Sequence, residues 1–243
     1  MNFQVMENKK KVAVMQPYFF PYLGYFQLIN AVDTFVIYDD VNFIMRGWIN
    51  RNNVLVNGQA HLISIPLVKA SQNRIISDTA LDPDTKWKAR LLKTVEAAYR
   101  KAPEFEKVFP LFIDLLNDSC EGVSDLNYQA IKAVCDYLSI NTTIIQSSSV
   151  YQNGNLKGQH RVLDICLQNN AQVYINPIGG KEIYDRTVFT DKEIEICFLK
   201  TQFSPYPQFN FEFIPGLSIL DYLMFLPPEE IHKKLGEYSL ETN

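Results

Sequence analysis

The chain has 243 residues, 47% hydrophobic and 21% charged, which suits a sizeable buried core and excludes a disordered or fibrous protein. Its 23 basic and 27 acidic residues leave a formal net charge of −4, so no global positive field grips nucleic acid. No apolar stretch reaches the roughly 18–20 residues of a membrane span, and the polar amino terminus lacks a signal-peptide core; the expected compartment is the cytoplasm.

In chain order, Lys11–Gln16 reads as a buried strand stopped by Pro17. A rigid aromatic loop with Pro17, Pro21 and Gly24 follows, then helical spacing over Tyr25–Ala31 and a second strand over Asp33–Tyr38. That order fits a βαβ unit whose parallel strands need both faces covered. Asn53–Leu67 reads as a hairpin about Asn57-Gly58, because a type I′ turn requires φ > 0 at both central residues. Amphipathic spacing predicts helices over Asp84–Arg100 and Asp125–Leu138, with another over Phe105–Asn117 broken at Pro110. Alternation resumes with strands at Thr142–Gln146, Gln172–Ile175 and Glu193–Leu199, and helices at His160–Asn169 and Ile219–Phe225. The last of these starts at Ser218-Ile-Leu-Asp221, a capping-box pattern.

The expected fold class is α/β: a mostly parallel sheet with flanking helices, a β-hairpin and an inserted helical subdomain at about 80–140. Residues 1–10 are expected to be a flexible extension, 11–228 a single domain and 229–243 a charged tail. Cys120, Cys135, Cys166 and Cys197 form no CxxC pair and read as buried thiols, while His61, His160 and His232 lack metal-ligand spacing. No cofactor is indicated.

Chemistry in parallel α/β sheets gathers outside the carboxyl ends of strands. The first candidate is therefore the loop after strand one, with Gln16, Pro17, Tyr18, Pro21 and Gly24. Its bland alternative is an aromatic cap on the sheet. Asp39 and Asp40, followed by Asn42, end the second strand; one carboxylate would serve as a base, and a turn or helix cap is the competing role. Trp48, Asn50, Arg51 and Asn52 form a third cluster, in which Arg51 is suited to phosphate or carboxylate. Asn176, Gly179, Gly180, Lys181 and Tyr184 follow a further strand; paired glycines expose backbone N–H groups and Lys181 suits an anion. No P-loop, dinucleotide fingerprint or GxSxG elbow is present.

The ordered blocks MQPYFFPYLGYFQLI, FVIYDDVNF, GWINRNNVL, ISIPL, YINPIGGKEIY and LSILDYLMF resemble the WbqC-like protein family, over roughly residues 11–228. The resemblance implies a role in O-antigen or other surface-polysaccharide biosynthesis: transfer of glycine or another small acyl group to the amine of a nucleotide-linked amino sugar. On that reading Asp40 is the expected base, Arg51 and Lys181 hold the diphosphate, and Tyr18 or Trp48 stacks a ring. The acyl or aminoacyl donor stays open. A nucleotidyl-transfer or adenylate-forming enzyme and a non-catalytic sugar- or partner-binding protein are the alternatives.

Overall fold

A computed structural model describes residues 9–242. Most of the expected amino-terminal extension lies outside the described residues. Six strands form one sheet: β1 (Lys11–Met15), β2 (Thr34–Ile37), β5 (Thr143–Ile145), β6 (Val173–Pro177), β7 (Glu195–Thr201) and β8 (Tyr238–Glu241). The spatial order is β5-β2-β1-β6-β7-β8. All neighbours are parallel except β7 and β8. The expected βαβ unit is β1, α1 (Leu23–Asn30) and β2, with Val12 opposite Thr34.

Parallel strands are joined by crossovers, so both sheet faces must be covered, and side chains alternate between them. Ala13, Phe35, Ile37, Ile175 and Leu199 enter one core, which α1 shares with α7 (Ile219–Phe225) and α8 (Pro228–Leu235). Val12, Val14, Val36, Tyr174 and Phe198 enter the other, closed by α5 (Gly158–Gln168) and α6 (Arg186–Thr190). Each fully buried Phe or Leu contributes roughly 1.5–3 kcal/mol by leaving water.

The hairpin is β3 (Arg51–Val56) with β4 (Gln59–Ser64), antiparallel with Val56 opposite Gln59. Asn57 and Gly58 take φ of 51° and 73°, the paired positive values that a type I′ turn demands. Three helices follow: α2 (Lys86–Tyr99), α3 (Phe105–Asn117) and α4 (Val123–Tyr137). They share the core of the sheet's α1 face. Pro110 lies inside α3 without ending it. It sits early in the helix, and the Glu106 carbonyl that loses its donor belongs to an exposed residue, where water can supply one.

Residues 229–243 read as a charged tail, yet they carry most of α8 and all of β8. The α8 charges follow the helix dipole, with Glu229 and Glu230 in the first turn and His232, Lys233 and Lys234 in the last. Ile231 and Leu235 are fully buried on its inner face.

Only half of the capping box forms at α7. Ser218 Oγ accepts from the Leu220 N–H at 3.3 Å. Asp221 instead turns inward and is fully buried. Its carboxylate accepts from the Tyr99 hydroxyl at 2.8 Å, from Gln208 Nε2 at 2.6 Å and from the Tyr206 hydroxyl. Burial pushes the Asp221 carboxyl above its usual range, against the pull of these donors. A raised folded pKa means that the native state holds the proton more tightly than the unfolded chain. The associated stability is complete below about pH 3.9 and is lost as pH rises through the folded value. Asp221→Asn removes this titration and leaves one donor without a full partner. The expected result is a loss of about 1–3 kcal/mol near pH 4 and a shallower fall between pH 4 and 7, read by urea unfolding across that range.

Candidate functional site

The chain leaves β1 toward β2 on one side, whereas β6 returns on the other side of β1. The connections at their carboxyl ends pass to opposite faces: α1 belongs to one core and α6 to the other. Such a switch point opens a crevice in α/β sheets. Here it holds a cleft of about 490 Å³. The end of β1 supplies Met15 and Gln16, and the following loop supplies Tyr18 and Tyr22. Tyr38 comes from the end of β2 and Trp48 from the loop before β3. Asn176 lies one residue before the end of β6, and Gly179, Gly180, Ile183 and Tyr184 follow the strand.

The loop after β1 is held in place by buried amides. Asn52 Nδ2 donates to the carbonyls of Phe19 at 3.0 Å and Phe20 at 2.7 Å. Asn127 Nδ2 donates to Pro17 O at 3.1 Å and Ile49 O at 2.7 Å, tying this loop to the Trp48 loop. Ser218 Oγ donates to Phe20 O at 2.7 Å. Phe20 takes a φ of 41°, disfavoured for a bulky side chain and maintained by these contacts. Phe19 and Phe20 are buried while Tyr18 and Tyr22 line the cleft, so the loop both caps the core and offers a surface.

Glycines shape the opposite wall. A Cβ on Gly180 would lie 1.9 Å from Asn176 Nδ2, whereas one on Gly179 would meet nothing within 4 Å. Gly24 serves α1 packing: a Cβ there would come within 2.2 Å of Thr201 Oγ1.

Asp39 and Asp40 leave the strand in different directions. Asp39 is buried and accepts from Ser124 Oγ and Ser147 Oγ, each at 2.7 Å. Burial raises its pKa, opposed by the two serine hydrogen bonds. Asp40 pairs with the guanidinium of Arg161 and accepts from Ser148 Oγ. Arg161 is buried in α5 and also donates from Nε to Asn153 Oδ1 at 2.9 Å. Its Cζ stands 5.2 Å from the Tyr38 ring centroid. The ion pair thus supports the cleft wall from behind. Sequence reading passed over Arg161, whose pattern matches an ordinary helix-face residue.

The sequence candidates therefore separate. Gln16, Tyr18, Trp48, Asn176, Gly179, Gly180 and Tyr184 come together in the cleft. Pro17, Pro21 and Asn52 shape its loop from within, and Asn50 Nδ2 donates to Ile65 O at 2.8 Å at the base of the hairpin. Asn42 is exposed and bridges to Ile75. Arg51 donates to the carbonyls of Gly47, at 2.8 Å, and Arg46. Lys181 pairs with Glu241 at 3.2 Å. Neither cation lines the cleft, and among the described residues its lining includes no charged side chain. Burial raises the pKa of Tyr18, Tyr22, Tyr38 and Tyr184, so their phenols stay protonated at neutral pH. Among the described residues no cluster of three His, Cys, Asp or Glu could hold a metal ion. No helix there is long and apolar enough to cross a membrane.

Residues 16–233, from the cleft's first loop to the last helix, match the model of the WbqC-like protein family. The chain belongs to that family. The chain is also similar to the uncharacterized protein Rv1507c of Mycobacterium tuberculosis (strain ATCC 25618 / H37Rv), 31% identical over 217 residues. The match covers 88% of this chain and 93% of that protein. No solved structure matches. The WbqC-like match begins at Gln16 and includes every residue of the cleft but Val14 and Met15.

Two outcomes test this geometry. Asp40→Ala strands a buried guanidinium and should lower stability by about 3–5 kcal/mol in chemical denaturation. Gly180→Ala, which drives a methyl into the Asn176 amide, should lower the melting temperature by several degrees, roughly 4 °C or more; Gly179→Ala should leave it unchanged.

Proposed function

We propose that this WbqC-like chain is a transferase of surface-polysaccharide biosynthesis that binds an amino sugar in the β1–β6 cleft and acylates its amine with glycine or another small acyl group. The observation that carries the reading is the wall itself: protonated tyrosines, Trp48, two side-chain amides and backbone, set among aliphatic side chains such as Met15 and Ile183, with no charged side chain. A sugar ring suits such a wall, because its C–H faces lie against aromatic rings and its hydroxyls exchange hydrogen bonds with phenols and amides. A nucleotide diphosphate requires cations instead. The nucleotide of a nucleotide-linked sugar would therefore lie outside the cleft.

Acyl transfer to an amine requires removal of a proton and donors for the oxygen that gains charge. Phenols and the exposed backbone at Gly179 are suited to the second task. Asp40, the carboxylate that sequence suggests as base, has its oxygens engaged by Arg161 and Ser148. Its role in this proposal is to position Arg161 behind Tyr38.

Incubation of the protein with nucleotide-linked amino sugars and activated glycine donors, read by mass spectrometry, tests the activity. The expected product is a sugar heavier by one glycyl or acyl unit. An unchanged sugar mass with every donor, from folded protein, would overturn the transferase reading. Gly179→Ala, which places a methyl in the open cleft without meeting protein, should raise KM about tenfold and leave folding intact.

A further inference from the structure

The hairpin has one covered edge and one open edge. In an antiparallel pair, opposed residues alternate between exchanging both backbone hydrogen bonds and pointing both groups outward. The Leu55 N–H donates to the Tyr99 hydroxyl at 2.9 Å, so Leu55 faces away from β4, and Ala60 opposite it faces away from β3. By alternation Leu62 and Ser64 also turn their N–H and C=O groups out of the hairpin. On the β3 side such groups are taken up: besides Tyr99, the Ser218 N–H donates to Asn53 O at 2.8 Å. Those of β4 find no partner outside the hairpin among the described residues.

Edge strands commonly carry a lysine, a proline or a bulge that discourages pairing. The β4 sequence QAHLIS contains no lysine, carboxylate or proline, its register with β3 is unbroken, and Leu62 is 49% exposed. A groove of about 290 Å³ runs beside it, lined by Leu62, Ser64 and Pro66 and by Trp87, Arg90 and Thr94 of α2. No carboxylate lines it among the described residues. Lys86, Arg90 and Lys93, spaced i, i+4, i+7, share one exposed face of α2. Lys86 has Asp84 at 3.6 Å, whereas Arg90 and Lys93 form no ion pair among the described residues.

We propose that the open edge of β4 and the α2 groove bind an acidic, extended segment of a partner protein, added to the hairpin as a third strand. Its backbone pairs with Ala60, Leu62 and Ser64, and its carboxylates lie against Arg90 and Lys93. A second copy of this chain fits less well: pairing β4 with β4 sets two cationic α2 faces along one seam, and like charges across an interface are costly. Nucleic acid suits the cations but offers the edge no peptide groups. The groove shares no residue with the cleft, so the proposal stands independently of the sugar reading.

Fluorescence anisotropy with labelled Glu-Val-Glu-Val-Glu-Val, Lys-Val-Lys-Val-Lys-Val and Glu-Pro-Glu-Pro-Glu-Pro peptides provides the test, with thermal melts to check folding and sedimentation to check assembly. The first peptide should bind saturably. The other two should bind about tenfold more weakly, one for its charge and the other for the backbone ladder it cannot form. Leu62→Pro, whose lost N–H points outward, and the double variant Arg90→Glu with Lys93→Glu should each weaken the first peptide about tenfold. No saturable binding of that peptide would overturn the proposal, as would equal binding of either control or undiminished binding by either folded variant. A wild-type dimer that Leu62→Pro separates would overturn it in favour of a second copy. A thymidine oligonucleotide bound as tightly as the first peptide would overturn it in favour of nucleic acid. If Leu62→Pro does not fold, the proline peptide decides the backbone half alone.

Discussion

Everything at the site depends on the chain reversing its direction of travel across the sheet at β1. Strands β2 and β5 are added on one side of it, and β6, β7 and β8 on the other. Backbone hydrogen bonding between β1 and β6 brings two loops side by side, while the opposed crossovers pull those loops toward different helical layers. A gap at the carboxyl edge follows from topology, before any side chain is specified. Sequence then determines what lines the gap, and here it supplies neutral hydrogen-bonding groups and rings.

That gap is only as well defined as its walls. The strained backbone at Phe20 would relax if its carbonyl were free, but Asn52 and Ser218 both donate to it. Asn127 joins the same loop to the segment bearing Trp48. On the far side, the close fit of Gly180 against Asn176 fixes the amide that accepts from the Tyr174 hydroxyl. The polar residues of this protein thus divide between those that face the cleft and those that hold it open, and burial is what distinguishes them.

This division explains what sequence could and could not reveal. The strands, the Asn57-Gly58 turn and the βαβ order were legible because they depend on local period and on backbone constraints at proline, asparagine and glycine. The convergence of these loops on one cleft was legible for the same reason, since loops after parallel strands gather at one edge. Roles within it were not. Asn50 and Asn52 lie two residues apart and look alike, yet one closes the hairpin base and the other bolts the loop after β1. Arg51 beside them looks like an anion ligand and spends its donors on backbone carbonyls nearby. Tyr22 and Tyr38 lay in the first candidate loop and at the end of the second strand without being singled out, and Arg161 became visible only when α5 was brought against Asp40. Arg51 apart, such assignments are made by contacts beyond the local pattern, 15 positions away for Asn50 and 121 for Arg161. The same is true of α8 and β8, whose sparse apolar residues read as a tail until the sheet edge that they cover is present.

The sheet has two margins. On one side β5 is only three residues long and offers little backbone to a neighbour. On the other, β7 is seven residues long and its outer edge is paired by β8, with Phe198 opposite Glu241 and Leu199 opposite Leu240. A short closing strand therefore conceals a long apolar one. A version of this protein cut before Tyr238 would keep its cleft residues but bare the β7 backbone, a ready template for strand-to-strand association between molecules. Residues 238–241, remote from the cleft, thus shorten the backbone edge that this margin of the sheet leaves open.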